Sequence, residues 1–374
     1  MTDDAVKQTT GANSTMDRVV AFETNIVPHR ALEGAEKAIR KLQRRYRPPG
    51  KKQLKARALL LVGESGSGKS TVLASYFENN KPKTLAEAET EDGDIRPIVI
   101  VEVPQRPGRR QFVAAIMGEL GYKARDDWDT SEIIRNISYY CRELQVQLLL
   151  IDEAHHIVEG KKQDAEEDIS EFIKSLLNRC GVQIVLAGLP SLLQLREYKQ
   201  LNRRFQAPVQ LRPYNWSTLD GRIEFTAVLT EFEALAELPK DSNLADHEIA
   251  KRIFCATGGH IGLVSKYLSE ALERAVDEGK DAIDLKLLGE VYTAFEGKDE
   301  NDDELLEDFD AKPKTTKSKE ERTADNPFLA TNAELKVLWR AMMDNRDEMV
   351  KTANRRNSRE SRIKGTRGEP KVFS

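Results

Sequence analysis

Short, uninterrupted apolar runs alternate with longer amphipathic stretches in the first half of the chain. The runs are ALLLV at 58–62, IVIVEV at 98–103, LLLID at 148–152 and VQIVLAG at 182–188. Apolar strands of this kind, separated by helices, are typical of a parallel sheet that is covered on both faces. We therefore expect an α/β domain over residues 58–213, with helices flanking its sheet.

The pattern changes after this domain, where apolar residues recur at helical spacing without a strand-like run between them. We expect a small helical lid domain over residues 214–292, followed by a charged, partly disordered C-terminal extension. Residues 332–345, NAELKVLWRAMMDN, predict one isolated helix within that extension. The other expected boundaries are 1–24 for a disordered N-terminus, 25–57 for a basic helical segment, 293–328 for an acidic linker and 329–374 for a short helix and basic tail.

Charge is segregated along the 374 residues, although the formal net charge is only -4. Residues 40–57 carry nine basic side chains and no acidic one, and residues 351–374 carry eight basic and two acidic ones. Residues 296–310 carry nine acids and one lysine. The first basic block could contact DNA, a neighbouring subunit or its own helix end, and the basic tail could bind DNA or another protein. The acidic block is most simply a solvated spacer, and alternatively it competes with DNA for the basic blocks.

Cysteine usage and hydropathy bear on the compartment. Cys141, Cys180 and Cys255 are far apart in sequence, which indicates neither a disulfide framework nor a zinc site. No apolar run approaches the roughly 18–20 residues of a membrane span, and the first residues include no apolar signal segment. We expect a cytoplasmic protein without a membrane partner.

Residues 63–71, GESGSGKST, directly follow the first apolar run and match the P-loop pattern in full. Glycines let backbone amides face phosphates, while Lys69 reaches the β and γ phosphates and the Ser70 hydroxyl holds magnesium. This stretch therefore predicts that ATP and Mg²⁺ bind here. The predicted nucleotide contacts in it are Gly63, Glu64, Ser65, Gly66, Ser67, Gly68, Lys69, Ser70 and Thr71.

The run LLLID ends in two adjacent carboxylates, Asp152 and Glu153. After a full P-loop, such a pair is typical of a hydrolytic site. We expect Asp152 to contact the nucleotide and, with Ser70, to hold magnesium, while Glu153 orients and deprotonates the attacking water. An apolar run that ends in two acids is otherwise an ordinary surface strand end. For His155 and His156, which follow directly, we favour packing or solvent-facing roles.

A base next to the magnesium aspartate, together with a helical domain behind the sheet, resembles the AAA+ ATPases. The resemblance implies an AAA+ P-loop NTPase that assembles in rings or helical filaments, in which a neighbour's arginine completes each pocket. Arg203 and Arg204, just before the strand-like QAPVQLRP, stand at about the place of that catalytic finger. Either could act in trans; the alternatives are a surface pair or a DNA contact.

Two departures from the AAA+ pattern bear on the rate of hydrolysis. Ala187, Gly188 and Leu189 stand where many AAA+ proteins have a polar sensor residue at a strand tip. In the lid, residues 258–261 read GGHI where many relatives have a motif that ends in a sensor arginine. We therefore expect hydrolysis to be slow or dependent on a partner.

Less generic segments narrow the resemblance to the TnsC/TniB group of transposition regulators, over roughly residues 24–275. They are IVPHRALEGAEKAIRKL, VPQRPGRRQF, LLLIDEAHHI, IVLAGLPSLLQL, RRF followed by LRPYNW, and ATGGHIGLVSKYL. The resemblance implies an ATP-dependent regulator that assembles on target DNA, receives a target-selection protein and recruits or stimulates the transposase. Hydrolysis would then drive disassembly.

Arg106, Arg109 and Arg110 lie in a loop with proline and glycine that leads into a helix. Phosphate contacts need charge and reach rather than base readout, so these arginines predict salt-sensitive, sequence-independent binding of double-stranded DNA. The alternative is an ordinary solvated loop.

Three other functions remain open at this point. A secretion-type AAA+ ATPase is disfavoured because no spanning segment is found. A nucleotide-gated scaffold or signalling ATPase is disfavoured by Glu153 but favoured by the missing sensors. An origin-initiator-like DNA loader is disfavoured because no C-terminal winged-helix domain is recognisable in the sequence.

Overall fold

The computed structural model describes residues 16–48, 51–52, 54–82, 89–90, 93–105, 108–158, 163–298 and 326–343. The chain divides into two compact units. The α/β unit comprises Thr24–Tyr214 with the short segment His260–Leu263. The helical unit comprises, among the described residues, those up to Glu23, Asn215–Gly259 and those from Val264 onward.

Five parallel strands form the sheet of the α/β unit, which confirms the predicted parallel sheet. They are β1 (Ala58–Gly63), β2 (Ile98–Glu102), β3 (Leu148–Asp152), β4 (Gln183–Gly188) and β5 (Val209–Leu211). Their order across the sheet is β2-β3-β4-β1-β5. Because neighbouring strands are in parallel register, with Val62 beside Gly188 and Glu102 beside Asp152, the carboxyl ends of the strands share one edge. A separate two-residue antiparallel pair joins Glu89–Thr90 and Gly93–Asp94.

The helices begin with α1 at 16–24. In the α/β unit they are α2 (Arg30–Gln43), α3 (Lys69–Asn80), α4 (Arg109–Glu119), α5 (Thr130–Glu143), α6 (Gln163–Cys180) and the one-turn α7 (Lys199–Asn202), with 3₁₀ turns at Ala154–Ile157 and Pro190–Glu197. Local sequence explains the helix starts. For example, the Asp129 carboxylate accepts from the Glu132 amide at 2.7 Å while the Glu132 carboxylate accepts from the Asp129 amide at 3.0 Å, a capping box that starts α5.

Side chains of the sheet point alternately to two buried clusters. Leu60 and Val62 of β1 belong to a cluster with residues of α4, α5 and α6. Leu59 and Leu61 belong to a second cluster with residues of α2 and α3. Both faces of the sheet are therefore covered, which explains why the strands read as continuous apolar runs.

Two of the cysteines that are distant in sequence lie together in the first cluster. Cys141 and Cys180 are buried as free thiols. Their mutual hydrogen bond and burial raise the pKa of the Cys180 thiol. Among the described helices, none has the length and apolar character that crossing a membrane requires.

The helical unit contains α8 (Leu219–Ala236), α9 (His247–Thr257), α11 (Leu285–Lys298), α12 (332–343) and most of α10 (Ile261–Asp277), whose first residues belong to the α/β unit. Trp216, Phe225 and Phe254 pack together at its centre, with ring centroids 5.4–6.0 Å apart. Such aromatic clusters bury large apolar areas and stabilise a small domain.

The expected disorder through residue 24 is wrong for residues 16–24, which form α1. Val19 and Phe22, one helical turn apart, are buried, and the Phe22 ring lies 5.6 Å from that of Phe232. The Ser269 hydroxyl also donates to the Glu23 carboxylate at 2.6 Å. Buried apolar side chains and a hydrogen bond thus help to hold this mostly polar stretch on the helical unit. Residues 1–15 lie outside the described part of the chain.

The C-terminal expectations need two corrections. Helix α11 continues to Lys298, beyond the predicted boundary at 292. Helix α12 is not isolated, because Leu335 is buried and the Trp339 ring lies 5.6 Å from that of Phe254. The remainder of the acidic linker, 299–325, and the basic tail from 344 lie outside the described residues.

Candidate functional site

The loop between β1 and α3 is shaped by its glycines. Gly66 and Gly68 have φ values of +69° and +84°, in the left-handed region that other residues adopt only at a cost. Helix α3 begins immediately after, at Lys69. The loop therefore turns its backbone toward the N-terminus of a helix, where amide groups without helical partners and the helix dipole favour an anion.

The Lys69 ammonium is held inside this loop. It donates to the carbonyl oxygens of Gly63 at 3.1 Å and Glu64 at 2.9 Å, and its residue is only 6% exposed. Burial lowers the pKa of Lys69, and the nearby carboxylates of Glu153, Asp152 and Glu64 oppose that shift. A buried cation is thus placed between the loop and the two acids at the end of β3.

These features fit a bound nucleoside triphosphate with its magnesium ion. Among the residues that the structure describes, the buried Ser67 hydroxyl has no hydrogen-bond partner, so it is available to a ligand. The 12-residue helix α3 presents its N-terminus to the same place, and the carboxylates supply hard oxygen ligands of the kind magnesium prefers.

The segment His260–Leu263, which is distant in sequence, contacts this loop. The Gly262 amide donates to the Gly66 carbonyl at 2.8 Å. A Cβ added to Gly68 would lie 3.2 Å from Ile261, and one added to Gly66 would lie 3.0 Å from Leu263. Where many relatives have a sensor arginine motif, this segment therefore packs against the loop. Sequence reasoning noted the missing arginine but missed this contact.

Asp152 and Glu153 stand at the carboxyl end of β3. Asp152 is 9% exposed, and its carboxylate accepts from the Glu153 amide at 2.8 Å. Glu153 adopts the left-handed conformation, with φ 50° and ψ 28°, which costs a residue with a side chain roughly 1–3 kcal/mol. Strain of this kind is concentrated at functional sites. It turns the chain out of the strand direction directly after the metal-binding candidate.

The Glu153 side chain lines an open cavity of about 580 Å³ at the same edge of the sheet. Glu102, Val103, Pro104, Gln105 and His156 line the rest of it. Glu102 ends β2 in register with Asp152, so a third carboxylate lies at this edge. Sequence reasoning missed it, because Glu102 lies inside the apolar run at 98–103 rather than at its end.

His155 fills the place beside the tip of β4. Its side chain is 8% exposed, and its Nδ1 atom lies 3.1 Å from the Glu153 carboxylate. A Cβ added to Gly188 would lie only 2.9 Å from the His155 amide nitrogen and 3.1 Å from Nδ1. His155 is therefore packed, as expected for one of the two histidine roles, and it also contacts the Glu153 carboxylate. Its position also explains why the strand tip carries no larger, polar sensor side chain.

Replacing Gly188 with alanine is expected to lower the free energy of unfolding by about 1–3 kcal/mol, because the added methyl group overpacks this contact. Urea denaturation measures the change. The matched control is Gly118→Ala, since a Cβ at Gly118 meets nothing within 4 Å and alanine favours the helix by about 0.5–1 kcal/mol. Equal stability of the two variants would contradict the close approach.

The two candidate finger arginines differ in their surroundings. Arg204 is half-buried and donates to the Ala56 carbonyl at 3.3 Å and to the Asn178 side chain. Arg203 is exposed, and its side chain makes no hydrogen bond or ion pair with the part of the chain that is described. Of the two, Arg203 has the side chain available to a neighbouring molecule.

The arginines predicted to contact DNA are described unequally. Arg106 lies outside the described residues, and Arg109 is the first residue of α4. Arg110 donates to the Arg125 carbonyl at 2.7 Å and lies 3.9 Å from the Asp126 carboxylate, with its side chain 40% exposed. Part of its hydrogen-bonding capacity is thus used within the chain.

Three solved structures have a similar fold, each over 73% of this chain. Cdc6p from Pyrobaculum aerophilum has a TM-score of 0.52, 17% identity and 69% of its own chain covered. ORC2 from Aeropyrum pernix, in ADPNP-ADP complexes, has a TM-score of 0.51 and 16% identity, with 71% of its own chain covered. ORC1 from Aeropyrum pernix, in complex with DNA, has a TM-score of 0.50 and 16% identity, with 67% of its own chain covered. At such identities the likeness shows the fold alone, which is that of the AAA+ ATPases.

The sequence comparisons identify the family. No curated protein matches the chain significantly. The profile of the family described as Bacterial TniB protein matches residues 28–216, slightly more than half of the chain and nearly all of the α/β unit. The chain therefore belongs to the TniB family.

Proposed function

We propose that this protein is an ATPase that assembles on double-stranded DNA, as a ring or helical filament, and regulates DNA transposition. In this role it links a target-selection protein to the transposase, and hydrolysis drives disassembly. The observation that carries the proposal is the collection of Lys69, Asp152 and Glu153 at one edge of the sheet in a TniB family member.

Each residue at this edge has a distinct chemical task. Lys69 neutralises phosphate charge, and the amides at the start of α3 bind the phosphate oxygens. Ser70 and Asp152 would hold magnesium, which would supply positive charge to the phosphate oxygens. Glu153, directly after Asp152 and 35% exposed toward an open cavity, accepts the proton of the attacking water.

One observation favours a second candidate function, a nucleotide-gated scaffold in which hydrolysis is incidental. His155 lies 3.1 Å from the Glu153 carboxylate, and Gly188 offers no polar side chain to position a water. Both features favour slow or partner-stimulated hydrolysis. The position of Glu153, directly after Asp152 and facing an open cavity, nevertheless favours the hydrolytic role.

A neighbouring subunit supplies the remaining charge in this proposal. Within the described chain, Lys69 is a cation near the two carboxylates. Arg203 is exposed and unengaged among the described residues, which suits a contact made in trans. We assign Arg203 the finger role and Arg204 a role in holding the loop before β5 to Ala56 and Asn178.

Binding of DNA is assigned to the basic side chains at the start of α4. Arg109 and Arg110 begin this helix after β2, and Arg106 precedes it in sequence. The similar ORC1 structure from Aeropyrum pernix is a complex with DNA, which supports the proposal of DNA binding. Contacts to phosphates would give binding without sequence preference.

Fluorescence anisotropy of a labelled duplex, measured over a salt series with ATP or ADP, tests this proposal. We expect tight, salt-sensitive binding with ATP and weak binding with ADP. The double substitution Arg109→Ala and Arg110→Ala should reduce the salt slope by about 2, or about 1 for each lost phosphate contact. Arg135→Ala, which changes an exposed arginine on α5, is the matched control. Equal binding with both nucleotides, or an unchanged slope, would count against the proposal.

A further inference from the structure

Arg252 of α9 binds a segment that lies just before α12. The Arg252 guanidinium donates through Nη1 to the carbonyl oxygens of Pro327 at 2.6 Å and Ala330 at 2.8 Å, with a longer contact of 3.4 Å to that of Phe328. Its Nη2 atom contacts the Asn332 side chain at 3.5 Å. A single side chain of α9 thus binds several main-chain acceptors of one short turn.

The side-chain amide of Asn326 makes specific hydrogen bonds at both of its ends. Its side chain is fully buried, and its Nδ2 atom donates to the Gly289 carbonyl at 2.8 Å and to the Thr293 hydroxyl at 3.1 Å. Its Oδ1 atom accepts from the Phe328 amide at 3.0 Å, which closes the turn. Both ends of the amide are satisfied, so replacement by aspartate would remove two donors and bury a charge.

Phe328 packs against two tyrosine rings and beside Gly289. It is 4% exposed, and its ring is nearly parallel to that of Tyr267 at 5.5 Å and edge-on to that of Tyr292 at 6.2 Å. A Cβ added to Gly289 would lie 3.2 Å from Leu329 and 3.6 Å from Phe328. Glycine inside a helix costs about 0.5–1 kcal/mol, and here it leaves room for the segment.

We propose that Arg252, Tyr267, Gly289 and Thr293 form a peptide-docking site for the Asn326–Ala330 segment, and that one copy of the chain can supply this segment to the site of another copy. One continuous stretch, Asn326–Ala330, makes these contacts with the site. The contacts are therefore the same whether that stretch belongs to the same chain or to a second copy. Exchange of an identical element between copies therefore requires no new contacts.

The covalent connection permits this exchange. Residues 299–325 separate the segment from α11, and a chain of that length can span at most about 90 Å. That limit exceeds the radius of a domain of this size. The exchange requires neither nucleotide nor DNA, so its failure would leave the proposed ATPase function untouched, and the reverse also holds.

Binding of a fluorescent peptide of residues 326–343 to full-length protein tests the site. The receptor carries Asn326→Ala and Phe328→Ala, which disable its own segment. We expect saturable binding to this receptor, and at least tenfold weaker binding to the unmodified chain, whose site is already occupied. Adding Arg252→Ala to the receptor should weaken binding at least tenfold, whereas Arg274→Ala, an arginine paired with Glu270 within α10, should not.

Changes in the peptide keep the test decisive if a receptor variant fails to fold. A peptide with Asn326→Asp or Phe328→Ala should bind the segment-disabled receptor at least tenfold more weakly than the unmodified peptide. Absence of binding by the unmodified peptide, or equal binding by all three peptides, would overturn the site.

Exchange between copies is tested by mixing two complementary full-length variants. Arg252→Ala leaves the segment intact without a site, and the Asn326→Ala, Phe328→Ala variant leaves the site intact without a segment. Sedimentation without nucleotide should show a heterodimer in the mixture that neither variant forms alone. A mixture that sediments as the sum of its parts would overturn the exchange.

Discussion

Protein with Glu153→Gln is expected to bind ATP as the unmodified protein does but to hydrolyse it about 10²–10⁴-fold more slowly. Glutamine keeps the size of the side chain and one acceptor oxygen but cannot accept the proton of the attacking water. The Lys69 contacts with the Gly63 and Glu64 carbonyls do not involve Glu153, so the binding loop should persist. Single-turnover hydrolysis and equilibrium binding of a fluorescent ATP analogue measure the two quantities separately.

Glu119→Gln is the control for this substitution, because Glu119 is an exposed carboxylate at the end of α4. It should change neither hydrolysis nor binding. Hydrolysis by Glu153→Gln at the unmodified rate would show that this residue is not the base. In that case the incidental-hydrolysis scaffold would become the better explanation of the site.

Arg203→Ala is expected to reduce the hydrolysis of assembled protein by about 10³–10⁵-fold, the usual worth of a trans arginine. Arg204→Ala should instead act mainly on stability, since this side chain is bound to Ala56 and Asn178 of its own chain. ATPase assays on assembled protein, together with thermal unfolding, distinguish the two effects. Loss of activity with Arg204→Ala alone, at unchanged stability, would reverse the assignment.

Mixing Arg203→Ala with Glu153→Gln protein tests whether the arginine acts in trans. Each variant alone should be inactive. In the mixture, an Arg203→Ala subunit keeps its own Glu153 and can receive Arg203 from a Glu153→Gln neighbour, so activity should return. If the mixture stays inactive, Arg203 does not complete a neighbour's site.

The parts of the fold that sequence predicted well are those set by local pattern. Four apolar runs predicted strands because a strand covered on both faces can expose neither of its sides to water. The P-loop was equally readable, since Gly66 and Gly68 must occupy the left-handed region and Lys69 must follow them. Asp152 and Glu153 were recognisable because they end such a run.

The contacts that sequence did not predict join residues far apart in the chain. Gly262 supports the Gly66 carbonyl from a position nearly two hundred residues later, and no local pattern records that hydrogen bond. The segment at Asn326 appeared to be linker, because its burial depends on Arg252 and Gly289 of other helices. Helix α1 was missed because its buried apolar residues, Val19 and Phe22, lie within a mostly polar stretch.

Electron microscopy of the protein with linear duplex DNA measures directly whether ATP holds subunits together on DNA. Three states are compared: unmodified protein with ATP, the same protein with ADP, and Glu153→Gln with ATP. We predict rings or filaments that enclose DNA with ATP, longer-lived ones with Glu153→Gln, and none with ADP. DNA association that is absent in every state, or equal with ATP and ADP, would contradict an ATP-timed assembly.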